Sequence, residues 1–173
     1  MSTTVRDIDS LRSSAVVTVV NQLRKDVLLM KQGKIWHGDA STAVAVANAT
    51  DTTTAVALAN AMSTSYTAHI ASAIDATTGI GCHIAADATN TITAAAATDV
   101  TTVVALANDI KTKYEAHRAS AVFHPQADAT NTITAANATD SPTAVTLVND
   151  LKAKINLHYA GAFNSAAVAL VHP

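Results

Sequence analysis

Large apolar side chains recur at every fourth position in three stretches of the chain. They are Leu58, Met62 and Tyr66; Leu106, Ile110 and Tyr114; and Leu147, Leu151 and Ile155. This spacing places them on one face of a helix. Asp51, Asp99 and Asp140 precede the stretches and are good N-caps, and Pro142 is tolerated in a first turn. The pattern predicts three helices, each of about 18–20 residues.

The three predicted helices belong to aligned units, which indicates an internal repeat. Residues 86–95 and 127–136 read Ala-Asp-Ala-Thr-Asn-Thr-Ile-Thr-Ala-Ala in both copies. Nine residues after each capping aspartate comes an asparagine, and a histidine follows after nine more. The asparagines are Asn60, Asn108 and Asn149, and the histidines are His69, His117 and His158. A second set of histidines, His37, His83, His124 and His172, opens successive units. The repeats therefore span 37–82, 83–123 and 124–173, the last of which includes the start of a truncated fourth unit.

Two other parts of the chain have different patterns: the segment that leads into each helix within a unit, and the residues before the first unit. Asn90-Thr91-Ile92-Thr93 is β-branched and favours an extended or irregular return segment, whereas the alanines that follow leave a short helix as the alternative. Residues 9–32 carry apolar residues at helical spacing, so 1–36 is predicted to be an N-terminal docking helix. The predicted fold is mostly α: an N-terminal helix followed by three tandem helical repeats packed as a small bundle or solenoid.

Charge is unevenly distributed along a chain whose apolar residues are largely Ala and Val. Residues 1–36 hold six basic and three acidic side chains, and no Lys or Arg lies between His37 and Ile110. A surface with so few charges is poorly protected against association. We therefore expect it to be covered by other copies of the chain or by other proteins. The sparse charge does not indicate nucleic-acid binding, and neither a signal peptide nor an apolar run of membrane-spanning length is found.

The histidines have two interpretations. Imidazole is a good ligand for zinc, copper or nickel, and the candidate ligands are His69, His117, His158, His83 and His124. Their spacing, however, matches no short metal-binding motif, and the helical histidines continue apolar stripes. The sequence therefore favours histidines that complete repeat contacts, with metal binding and a pH-responsive role as alternatives. Phosphate loops, calcium loops and nucleophile elbows are absent, which predicts a protein that is no enzyme and uses no cofactor or small-molecule substrate.

The repeat resembles one found in virion proteins of tailed bacteriophages. The resemblance rests on the decapeptide above, on the Ala-Thr-Asp that follows it, and on Leu106–Arg118. It covers residues 37–173 and implies a structural subunit of the particle, such as a decoration, collar, connector or fibre-associated protein. The implied partners are other copies of the chain and other virion proteins, and the implied location is the virion, after synthesis in the host cytoplasm. The alternative function is a metal-binding or adhesion module at a cell surface.

Overall fold

The computed structural model describes residues 42–73, 83, 85–124 and 127–161, together with Val16 and Thr18. The fold is mostly helical, as predicted, and no strand is found in these ranges. The helices are α1 (Thr52–Ala71), α2 (Val100–Arg118) and α3 (Ser141–Tyr159). Apart from Val16 and Thr18, the predicted N-terminal helix lies outside the described residues, as do His37 and His172.

Each helix begins in the same way, at the predicted aspartate. Asp51, Asp99 and Asp140 are extended N-caps, and each side chain accepts a hydrogen bond from the backbone N–H three residues later. That later residue is a threonine in all three helices, and its hydroxyl oxygen accepts the N–H of the capping aspartate. These reciprocal bonds satisfy N–H groups that a helix start leaves without an intrahelical acceptor.

The predicted apolar stripes meet in the centre of a three-helix bundle. Every pair of helices is in contact, and the stripe residues are fully buried. The buried layers consist of Leu58, Leu106 and Leu147, then Met62, Ile110 and Leu151, then Tyr66, Tyr114 and Ile155. The helices run parallel, because the hydroxyls of Thr52 and Ser141 lie 2.5 Å apart at one end and the rings of His69 and His158 pack at the other. All three C-termini therefore converge.

The return segments are irregular, which confirms the preferred prediction for residues 85–98 and 127–139. Asparagine side chains hold them to the helices. The side chain of Asn60 accepts the N–H of Ala97 (2.8 Å) and donates to its carbonyl (2.9 Å). Asn108 makes the same pair of bonds to Ala138. Each of these asparagines therefore fixes the segment that leads into the next helix.

The third asparagine connects the last helix back to the first unit. Asn149 accepts the N–H of Ala49 (2.8 Å) and donates to the Ala49 carbonyl (2.9 Å), although the two residues are 100 positions apart. Asn156 pairs with the backbone of Val44 in the same manner. The described arrangement is thus a closed ring of three helices, and the bundle rather than the solenoid form of the prediction applies.

Candidate functional site

A cluster of five buried histidines lies where the three helices end. His69, His117 and His158 occupy the last turns of α1, α2 and α3. His83 and His124 come from the segments that follow α1 and α2. All five are completely buried. We call these five residues the histidine cluster, and it includes every histidine that the sequence nominated as a possible metal ligand.

The three helical histidines form one layer of the cluster. Their ring centroids are 5.4 to 5.6 Å apart, and the rings meet edge to face. The layer lies directly beyond the aromatic and isoleucine layer of the core, where Tyr66 contacts His117 and Tyr114 contacts His158. Tyr159 closes the side of the layer by packing over His69, at a centroid distance of 4.0 Å. The cluster is therefore a continuation of the core in polar side chains.

His83 and His124 form the second layer, and each faces the histidine of the helix that precedes it. The Nε2 atoms of His83 and His69 are 3.2 Å apart. The same distance separates Nε2 of His124 from Nε2 of His117. The other ring nitrogen, Nδ1, donates to a backbone carbonyl: Ser72 for His83 (3.0 Å) and Ser120 for His124 (2.8 Å). A carbonyl oxygen can only accept, so these bonds place the proton of the neutral ring on Nδ1.

Two buried aspartates support the helical histidines from outside. Nδ1 of His117 donates to Oδ2 of Asp87, and Nδ1 of His158 donates to Oδ2 of Asp128, both at 2.8 Å. The backbone N–H of Asp87 is anchored to the carbonyl of Ile70 at the end of α1, and Asp128 is likewise anchored at the end of α2. Each aspartate therefore joins the end of one helix to the histidine of the next.

The aspartates are held in their ionised form by their neighbours. Burial opposes ionisation of Asp128, but hydrogen bonds from His158 and Asn131 outweigh it and lower its pKa to about 2. The same balance of burial against bonds from His117 and Asn90 holds the pKa of Asp87 well below its usual range. The cluster consequently has two carboxylates bonded to its outer side.

The rings of His83, His124 and His158 are neutral near pH 7. Burial, reinforced by repulsion from His117, lowers the pKa of His83 to about 3 and that of His124 to about 2. Burial also lowers the pKa of His158 to about 4, against the hydrogen bond that His158 donates to Asp128, which raises it. A neutral imidazole with its proton on Nδ1 presents the Nε2 lone pair, which is the form that binds metal ions.

Two sets of three histidines have ring nitrogens close enough for shared coordination. In His69, His117 and His158, one ring nitrogen of each residue lies within 4.8 Å of the others. The same is true of His83, His117 and His124. His117 belongs to both sets, so it is the ligand that the two sets share.

The supporting aspartates were not among the site residues proposed from the sequence. Asp87 and Asp128 each accept the N–H groups of the residues two and three positions later, as aspartates in turns commonly do. The sequence contains one further signal: Asp87 precedes His117 by the same interval, 30 residues, as Asp128 precedes His158. A constant spacing between a carboxylate and a histidine in successive repeats is the pattern that identifies such pairs.

Comparison with known proteins adds no relative. No family model, no curated protein and no solved structure matches the chain. In the described part of the chain, no helix has the length and apolar character needed to cross a membrane.

Proposed function

We propose that this protein is a non-enzymatic structural subunit that acts through protein–protein contacts. In this proposal an N-terminal docking helix precedes three tandem helical repeats, and the chain is a component of a tailed-phage particle, as its resemblance to virion repeats implies. One observation carries the structural role: α1 has no Asp, Glu, Lys or Arg, whereas α2 and α3 have charged side chains at half-buried positions.

The difference between the helices is systematic. Four charged residues of α2 lie ten to sixteen positions after its capping aspartate: Asp109, Lys111, Lys113 and Glu115. The equivalent residues of α1 are Ala61, Ser63, Ser65 and Thr67. These charged residues of α2 are half-buried, and the exposed residues are uncharged in all three helices, so the difference lies at these half-buried positions. Interface centres are depleted in charged residues, and α1 shares this feature.

The polar side chains in the described ranges support the same role, because they act within the fold. Asp51, Asp99 and Asp140 cap helices. Asp109 and Asp150 accept backbone N–H groups of the return segments. The five clustered histidines are completely buried. These groups shape a rigid scaffold, and rigid scaffolds with an uncharged face are suited to packing in arrays.

The partner that we propose for the α1 face is a second copy of the chain. Small, uncharged side chains allow two helices to approach closely, and the absence of Lys and Arg removes the charges that normally prevent association. Other virion proteins are the further partners that the resemblance implies. The first test is therefore self-association of the full chain.

The test introduces an ion pair on α1 and, as a matched control, on α2. The variant Thr64→Glu/Ala68→Lys places opposite charges four residues apart, which is compatible with a helix. The control is Thr112→Glu/Ala116→Lys, at the equivalent exposed positions of α2. Sedimentation should show that the wild type and the α2 variant associate with rising concentration, whereas the α1 variant stays monomeric with an unchanged circular dichroism spectrum. A monomeric wild type, or equal association of all three proteins, would contradict the proposal.

A further inference from the structure

We propose that the histidine cluster binds one divalent first-row transition-metal ion, with ring nitrogens of His83, His117 and His124 as its ligands, because these nitrogens lie within 4.8 Å of one another. Asp87 and Asp128 are positioning residues that hold two of the rings. This inference goes beyond the proposed structural role, because the α1 face and its assembly do not depend on what the cluster contains.

The first argument comes from the proton positions of His117 and His124. The Nδ1 atom of His124 faces a carbonyl oxygen and that of His117 faces a carboxylate, so both Nδ1 atoms carry hydrogen. Their Nε2 atoms therefore face each other, and these two atoms are only 3.2 Å apart. Two lone pairs at this distance repel each other unless a cation lies between them. The contact is thus explained by a shared cation.

The distances agree with a metal ion as that cation. Zinc–imidazole bonds are about 2.0–2.1 Å long, which places adjacent ligand atoms about 3.0 Å apart in an octahedron and about 3.4 Å apart in a tetrahedron. The two Nε2–Nε2 distances of 3.2 Å fall between these values. The nitrogens of each set of three lie within 4.8 Å of one another, a range that includes the separation of about 4.2 Å between opposite ligands of an octahedron.

The electrostatic surroundings also favour a cation. Three parallel helices end at the cluster, and a helix C-terminus carries about half a negative elementary charge. The ionised carboxylates of Asp87 and Asp128 are bonded to rings of the cluster. Two carboxylates balance the charge of one divalent ion, which avoids the large free-energy cost of burying an isolated charge. Ligating histidines usually donate their other nitrogen to such a carboxylate or to a carbonyl.

The donor set defines the class of metal. Every proposed ligand is an imidazole nitrogen, whereas magnesium and calcium require oxygen ligands. Imidazole suits zinc, nickel, copper and iron. We therefore expect nickel, cobalt, iron(II) or zinc, with the choice set by availability.

A proton is the competing cation. A proton shared between the Nε2 atoms of His117 and His124 would satisfy that contact without a metal ion. The two explanations differ in their response to added metal. A proton-held cluster binds no metal ion and gains no stability from it, whereas the proposed site does both.

The experiment uses the full chain without a polyhistidine tag, stripped with a chelator and titrated with nickel, zinc or cobalt chloride. Calorimetry should show one high-affinity equivalent per chain, and the melting temperature should rise with metal concentration, because a ligand of the native state stabilises it. Cobalt should give an absorption spectrum characteristic of nitrogen ligands. If none of the three ions binds stoichiometrically, the proposal is overturned.

The variants locate the ion. His117→Leu removes the ligand shared by both sets and should abolish the high-affinity equivalent. His124→Gln also removes a ligand of the set that includes His83 and His117. It is the variant to use if His117→Leu does not fold. Asp87→Asn should weaken metal binding by about 10–100-fold, as loss of a supporting carboxylate commonly does. Asp109→Asn is the matched control in the same unit, and its affinity should equal that of the wild type. Binding that both histidine variants leave unchanged overturns the proposal, because the ion would then lie elsewhere.

Discussion

The bonds between Asn149 and Ala49 provide the most direct test of ring closure. They join the last helix to the first unit, and both the N–H and the C=O of a buried residue depend on them. Each hydrogen bond contributes about 0.5–1.5 kcal/mol, and a buried backbone group left without a partner costs about 1–3 kcal/mol. We therefore expect Asn149→Ala to lower the free energy of unfolding by about 2–4 kcal/mol.

Lys152→Ala is the matched control for this experiment. Its ammonium group donates to the side chain of Asn48 (3.0 Å), so it joins the same two units, but the bond is exposed. Loss of an exposed contact should change stability by less than about 0.5 kcal/mol. Urea denaturation followed by circular dichroism gives both values. The closed ring also predicts that Asn108→Ala, which breaks an equivalent pair between adjacent units, costs about as much as Asn149→Ala. If Asn149→Ala is instead as mild as Lys152→Ala, the closure does not stabilise the fold.

Two further predictions concern single contacts of the bundle. Tyr114→Phe removes the hydroxyl that donates to the carbonyls of Asn131 and Lys154, so the free energy of unfolding should fall by about 1 kcal/mol in urea denaturation, and an unchanged value would contradict the role of this hydroxyl. Asp109 and Asp150 have pKa values below 3.8, because the N–H groups of the return segments outweigh the opposing effect of burial. Since the folded pKa is the lower one, their stabilising effect is present above pH 3.8 and is lost as the pH falls from there through the folded value. The variant Asp109→Asn/Asp150→Asn should therefore lose less stability than the wild type over this interval, and parallel acid transitions of the two proteins would refute the assignment.

The helices could be predicted because their signals are local. A capping aspartate acts on the N–H groups of its own first turn, and a stripe at every fourth position identifies a buried face without knowledge of what covers it. Asp99 and the stripe from Leu106 to Tyr114 are sufficient to fix α2. The irregular return segments followed from the conflict between the β-branched residues near Ile92 and the alanines after it.

Ring closure and the histidine cluster could not be predicted in this way, because they depend on contacts between distant units. Short metal-binding motifs have ligands within a few residues of one another in sequence. His69 and His117, in contrast, are brought together only by the parallel packing of two helices. The separation of the candidate ligands in sequence was therefore not evidence against a common site. In a repeat protein, equivalent residues of successive units are the ones that meet, so repeat spacing is the relevant distance.

The position of the histidines bears on why a polar layer was retained in this bundle. A fourth apolar layer at the ends of the helices would bury its side chains at a favourable free energy, whereas five imidazole rings need a hydrogen-bonding or ligating partner for each buried nitrogen. The fold supplies such partners on the outer side, from Asp87, Asp128 and the carbonyls of Ser72 and Ser120. On the inner side the nitrogens face one another. Packing alone explains neither the converging nitrogens nor the two carboxylates beneath three helix C-termini, whereas a bound divalent ion explains both.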